Sequence, residues 1–161
     1  MKSGKILVAE QGGAFVIKLV GDVRLTFCTA LDEFFERMFN VPTFASVIID
    51  LCSAENIDST TLGQLAKLAI AAQRRYHLKP VALSTNPNIT RILLSMGFDR
   101  VFDIRQQAPQ TDEQLGELPM VAASEQGVRE RVLEAHRVLM GMNEQNRVEF
   151  QELVCALESV R

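Results

Sequence analysis

The sequence predicts an α/β domain, a mixed sheet carrying helices, followed by an amphipathic helical extension. Three observations lead there. Two apolar runs open the chain with a glycine turn between them, and strand-like and helix-like segments alternate after that pair. A long apolar stripe at helical spacing then occupies the C-terminal end. The 161 residues are enough for one domain of about one hundred residues with a real core, plus an appendage.

Ile6-Leu7-Val8 and Phe15-Val16-Ile17-Lys18-Leu19-Val20 read as strands, separated by Gln11-Gly12-Gly13 and closed by Gly21. In TALDEFFERMFN, the residues Leu31, Phe34, Phe35, Met38 and Phe39 make one apolar helical face. Asp32, Glu33, Glu36 and Arg37 lie opposite, and Pro42 ends the helix. Ser46-Val47-Ile48-Ile49-Asp50-Leu51 has the continuous apolar centre of a strand buried on both sides, and a short polar passage follows it. Ser59, Thr60 and Thr61 then open a helix whose inward residues are Leu62, Leu65, Ala66, Leu68, Ala69 and Ala72. Arg74 and Arg75 near its end suit the negative pole of the helix dipole. Lys79–Ser84 reads as a short strand. Asn86-Pro87-Asn88 caps a third helix that stops at Gly97, and Val101–Ile104 is a last strand.

Residues 1–105 thus form the domain. Residues 106–123, with Pro109, Gly116, Pro119 and many polar side chains, read as a linker, and 124–161 as a helical extension. In the extension, Val128, Val132, Ala135, Leu139, Met142, Phe150, Leu153, Leu157 and Val160 recur at spacings of three and four, with Asn146 filling the one gap. The stripe stays in phase through Gly141, which costs a helix only about 1 kcal/mol. One long helix is therefore expected over a hairpin broken at Gly141-Met142-Asn143. Its apolar face must bury itself on the domain, on a second copy (a homodimer through this helix) or on a partner. Asn146 is either a register-fixing polar residue in a coiled coil or a solvent-facing break.

Composition narrows the function. A net charge of −3 gives no general attraction to nucleic acid or anionic membrane. No apolar run approaches the roughly 20 residues that cross a bilayer, and the N-terminus lacks a signal-peptide core. Cys28, Cys52 and Cys155 are too few and too scattered for a disulfide framework or a metal site, which points to a reducing cytoplasm. Nothing in the sequence signals an enzyme, a cofactor or a metal. No Walker loop, HExxH, GxSxG or glycine-rich dinucleotide turn is present. His77 ends a helix and His136 lies on the polar flank of the last one, so both are expected at the surface rather than as bases.

The informative stretch is Asp58-Ser59-Thr60-Thr61-Leu62-Gly63, a carboxylate and three hydroxyls where a strand hands over to a helix. Asp58 or Ser59 can cap the helix. The same first turn, with its free N–H groups and positive dipole end, also welcomes an added phosphate. A phosphoserine would bring roughly two negative charges beside Asp58 and Glu55 and would turn a neutral surface into a strong anion.

This motif, behind a VIIDL strand, resembles the Asp-Ser-Ser-Gly-Leu-Gly motif of bacterial anti-sigma factor antagonists, the STAS domains. IKLVGDVRLTFCTALDEFFERM resembles the family's strand, Gly-Glu-Leu-Asp-type turn and first helix. NITRILLSMGFDRVFDI resembles its closing helix, turn and strand. The resemblance covers about residues 1–105. It implies the STAS fold, a mixed sheet with helices packed on one side, and a non-catalytic switch in the cytoplasm. A serine kinase would phosphorylate Ser59, a PP2C-type phosphatase would reset it, and the unphosphorylated form would bind an anti-sigma factor. Asp22, Arg24, Asp58, Thr60, Thr61 and Leu62 are the expected partner-binding residues.

Two departures stand out. Thr61 replaces the family's usual glycine, and Arg24 stands where the first turn usually carries an acid, so Arg24 is expected near Ser59, where it could pair with a phosphate. These departures keep a second reading open, a STAS accessory subunit or ligand-sensing module of a transporter or signalling complex. A scaffold organised by the last helix is the third.

Overall fold

The computed structural model describes residues 3–109 and 114–160, which leaves Gln110, Thr111, Asp112 and Glu113 of the expected linker outside the described residues. Among the described residues, six strands form one sheet in the order β5-β4-β3-β2-β1-β6. β1 (Lys5–Gln11) and β2 (Ala14–Val23) are the antiparallel hairpin turned by Gly12 and Gly13, both at positive φ, where glycine carries no Cβ penalty. β2, β3 (Ser46–Ile57), β4 (Val81–Leu83) and β5 (Asp103–Arg105) are parallel neighbours in chain order. The intervening helices are α1 (Cys28–Phe39), α2 (Ser59–Tyr76) and α3 (Pro87–Ser95). Each crossover steps the same way along the sheet, and right-handed crossovers that do so place all three helices on one face.

The core lies between that face and the helices. Leu31, Phe35 and Met38 of α1 and Leu62, Leu65, Ala66 and Ala69 of α2 are buried with Ile17 and Leu19 of β2 and Ile49 and Leu51 of β3. β3 is longer than the sequence suggested. The expected polar passage after Leu51 stays in the sheet, paired with β2 to Val23–Ile57 through two register shifts, whereas its pairing with β4 covers only Ile48–Asp50. At the other edge, part of the expected linker forms β6 (Gly116–Glu117) against β1, and Leu118 is buried beside it.

The single long C-terminal helix is corrected to two. α4 (Glu125–Met140) and α5 (Glu144–Glu158) form a hairpin. Asn143 starts the second helix by accepting from the Asn146 amide at 2.8 Å, and folding back buries Phe150 and Val154, which a straight helix would carry away from the domain. Asn146 is neither a coiled-coil register residue nor a solvent-facing break. It is 1% exposed, and its side-chain amide donates to the carbonyls of Leu139 (3.0 Å) and of Met96 at the end of α3 (2.9 Å). α4 packs on α2 and α1, so the hairpin makes a third layer over the helices.

Candidate functional site

The motif sits where β3 ends and α2 begins. Asp58 is the N-cap: its Oδ1 accepts from the Thr61 amide at 2.9 Å, while its Oδ2 accepts from the Leu25 amide at 2.7 Å. The Asp58 amide in turn donates to the Val23 carbonyl at 3.2 Å. One carboxylate therefore satisfies two orphan donors and ties α2 to the loop after β2. Because Asp58 takes the cap, the hydroxyl of Ser59, the first helical residue, is left free for another partner.

That partner is His136. The Ser59 Oγ lies 2.8 Å from His136 Nε2, and His136 Nδ1 lies 2.7 Å from the Val132 carbonyl one turn back on α4. A carbonyl can only accept, so Nδ1 carries a proton, and in the neutral ring Nε2 accepts from the Ser59 hydroxyl. The expectation of a surface histidine is corrected: His136 is 2% exposed and meets the edge of Phe150 from α5. The polar flank of α4 faces α2, and a helical wheel of one helix cannot show which neighbour covers it. His77 is exposed as expected and closes α2 in the left-handed conformation at φ 53°. The Ser59–His136 pair has a neutral carbonyl, not a carboxylate, behind the imidazole. It polarises a hydroxyl but gives no charge partner for an imidazolium.

Asp22 and Arg24 form a 2.8 Å ion pair, and Asp22 also accepts from Asn56 at 3.2 Å. The Val23 carbonyl and the Leu25 amide, on either side of Arg24, both bond Asp58, so the Arg24 loop frames the cap. The Arg24 side chain is 61% exposed. Thr60, Thr61 and Leu62 are buried, and Thr61 Oγ1 has no hydrogen-bond partner among the described residues. A groove of about 340 Å³ lies farther along α2, lined by Asp32, Glu36, Lys67, Arg75 and Arg131 among others. The three cysteines are free. Among the described residues no helix is long and apolar enough to cross a membrane, and no group of acidic, histidine and cysteine side chains is placed to hold a metal ion.

No protein-family model matches the chain, and no curated protein matches it significantly. Among solved structures, the chain is similar to the crystal structure of an anti-sigma factor antagonist from Mycobacterium paratuberculosis. The TM-score is 0.53 at 20% identity, over 65% of this chain and 87% of that one. The fold is thus the STAS fold that the motifs resemble, a mixed α/β sheet flanked by helices.

Proposed function

We propose that this chain is an anti-sigma factor antagonist that switches partners through phosphorylation of Ser59. The observation that carries the reading is the division of labour at the start of α2: Asp58 caps the helix and Ser59 does not. A phosphate on Ser59 would stand at the positive end of an 18-residue helix without disturbing its cap. Arg24, now held by Asp22 in the loop that bonds the Asp58 cap, is a cation that could turn to it. Outward, the phosphate would add roughly two negative charges next to Asp58 and end an interface made against a neutral hydroxyl. In this reading the unphosphorylated chain binds the anti-sigma factor, a serine kinase closes the switch and a PP2C-type phosphatase reopens it. Asp22, Arg24 and Asp58 shape the recognised surface at rest, while Thr60, Thr61 and Leu62 support it from beneath.

The test is the intact mass and phosphopeptide map of the protein from its native cells, beside a Ser59→Ala version. One phosphate that maps to Ser59 and disappears in the variant is expected. No phosphate under any growth condition, with partner binding unchanged in Ser59→Ala, would refute the switch. It would favour the accessory or ligand-sensing role, for which the groove beside Lys67 and Arg131 is the place to look.

A further inference from the structure

The first two turns of α2 are buried on every side. Seven consecutive residues, Thr60 to Ala66, are buried, although their sequence alone asks for only one apolar face. The sheet and α1 cover the inner side, and α4 covers the outer one. The crossing point is Gly63, the last residue of the motif. A Cβ there would come within 2.3 Å of the Ala135 carbonyl oxygen and 2.7 Å of the Ala135 Cβ. Only a glycine facing a small residue lets two helices approach so closely.

The rest of the seam is mixed: Leu139, Met142 and Phe150 of the hairpin join the buried core, and polar contacts flank them. Lys67 pairs with Glu134 at 3.1 Å and Asp32 with Arg131 at 3.2 Å, tying α2 and α1 to α4. Beyond the seam, Asn146 holds Met96, Asn143 donates to the Ser95 carbonyl at 3.3 Å, and Arg100 donates to the Met142 carbonyl at 2.9 Å. At the motif end, His136 takes the Ser59 hydroxyl. The Lys67–Glu134 pair is half-exposed and the Asp32–Arg131 pair mostly buried, and with the single hydrogen bonds they give the seam a polar share of the kind found at interfaces between units that move.

We propose that the α4–α5 hairpin is an internal competitor for the surface through which Ser59 is read, seated on Gly63 and latched to the serine by His136. This deepens the partner-switching reading and rests on it for the nature of the external competitor. The seat also describes that competitor: a protein helix with a small residue opposite Gly63 and a hydrogen-bond acceptor at the height of the Ser59 hydroxyl. While the hairpin is docked, the hydroxyl proton is engaged and the outer side of α2 is occupied. A kinase or an anti-sigma factor gains the serine only when the hairpin lifts.

The experiment uses the full chain with Ser59→Cys in a Cys52→Ser, Cys155→Ser background and follows alkylation by iodoacetamide. Cys28 is buried, which pushes its thiol up and keeps it slow, and the same background with Ser59 intact measures its share. Ala135→Arg leaves no room against Gly63 and should raise labelling at position 59 by about tenfold or more, as expected when a protecting segment opens. Asn146→Ala, which loosens the far end, should fall between. Deuterium exchange on the same samples should show α4 and α5 losing protection while β2 and β3 keep theirs.

Equal labelling with the hairpin amides exposed would overturn the proposal. Unchanged hairpin protection in both variants would also overturn it, because the seat would not be where the cover is held. If Ala135→Arg also unfolds the sheet, the Asn146→Ala rate decides alone. A serine that is never phosphorylated in cells leaves this result standing. A serine that is phosphorylated, with equal labelling rates, removes the cover and keeps the switch.

Discussion

Gly63→Ala puts two opposite effects on one methyl group. Inside a helix, alanine is better than glycine by about 1 kcal/mol, so an α2 without α4 above it should gain stability. In this fold the new Cβ would lie 2.3 Å from the Ala135 oxygen and 2.6 Å from its carbonyl carbon, both backbone atoms. No rotamer can relieve that contact, so α4 must withdraw by about 1 Å, and overpacking of that kind costs typically 1–3 kcal/mol. The clash is therefore expected to win or at least cancel the propensity gain, with the cost falling on the hairpin. Native-state hydrogen exchange reads both terms in one sample: α4 and α5 amides should exchange faster, while amides of β2 and β3 stay as they were. A Gly63→Ala protein more stable by the full helix-propensity gain, with α4 equally protected, would show that α4 does not rest on Gly63. The third layer described above would then be wrong.

Three further outcomes follow from the same geometry. Asp58→Ala removes the cap of α2 and the acceptor of the Leu25 amide, so about 1–2 kcal/mol should be lost. Asp58→Asn keeps one acceptor for the Thr61 amide but turns an NH2 donor towards the Leu25 amide, so it should recover only part of that stability, and thermal melts of the two variants compare them directly. Asn146→Ala deletes hydrogen bonds to the Met96 and Leu139 carbonyls, and about 1–3 kcal/mol of cost should appear as a lower denaturant midpoint.

 Alkylation of the native thiols should run in the order Cys155, Cys52, Cys28. Cys155 is exposed, while burial pushes the Cys52 and Cys28 thiols up and holds them protonated. A mass-resolved time course checks the order, and early modification of Cys28 would contradict the packing of α1.

Much of the sheet could be read from the sequence because its signals are local. Gly12-Gly13 between two apolar runs sets the hairpin, and the alternation after it sets parallel strands on one helical layer. The start of α2 was legible for the same reason, since a cap needs only a carboxylate three residues before the amide it accepts from. What the residues did not show depends on neighbours distant in the chain. Ser59 and His136 are separated by 77 positions, and neither sequence environment points to the other. The burial of Asn146 depends on a carbonyl at Met96, 50 positions away. The break at Gly141 was hidden by an apolar stripe that stays in phase across it. The Asn143 cap, a local signal, was the clue that outweighed it. The extension of β3 past Leu51 was missed because Cys52–Asn56 has no continuous apolar run, and its pairing comes from β2 alone.

That one-sided pairing has a mechanical consequence. From Leu51 to Ile57, β3 runs roughly 20 Å beyond the end of its pairing with β4. Asp58 and Ser59 therefore stand at the tip of a two-stranded cantilever whose root is the central sheet and whose strand partner is β2, with the Leu25 amide and His136 steadying the tip. Force or strain applied to the tip is passed to β2 and to what touches it. Ser3 bridges Asp22 there, and Gly4 is so close that a Cβ would come within 2.1 Å of the Asp22 carbonyl oxygen.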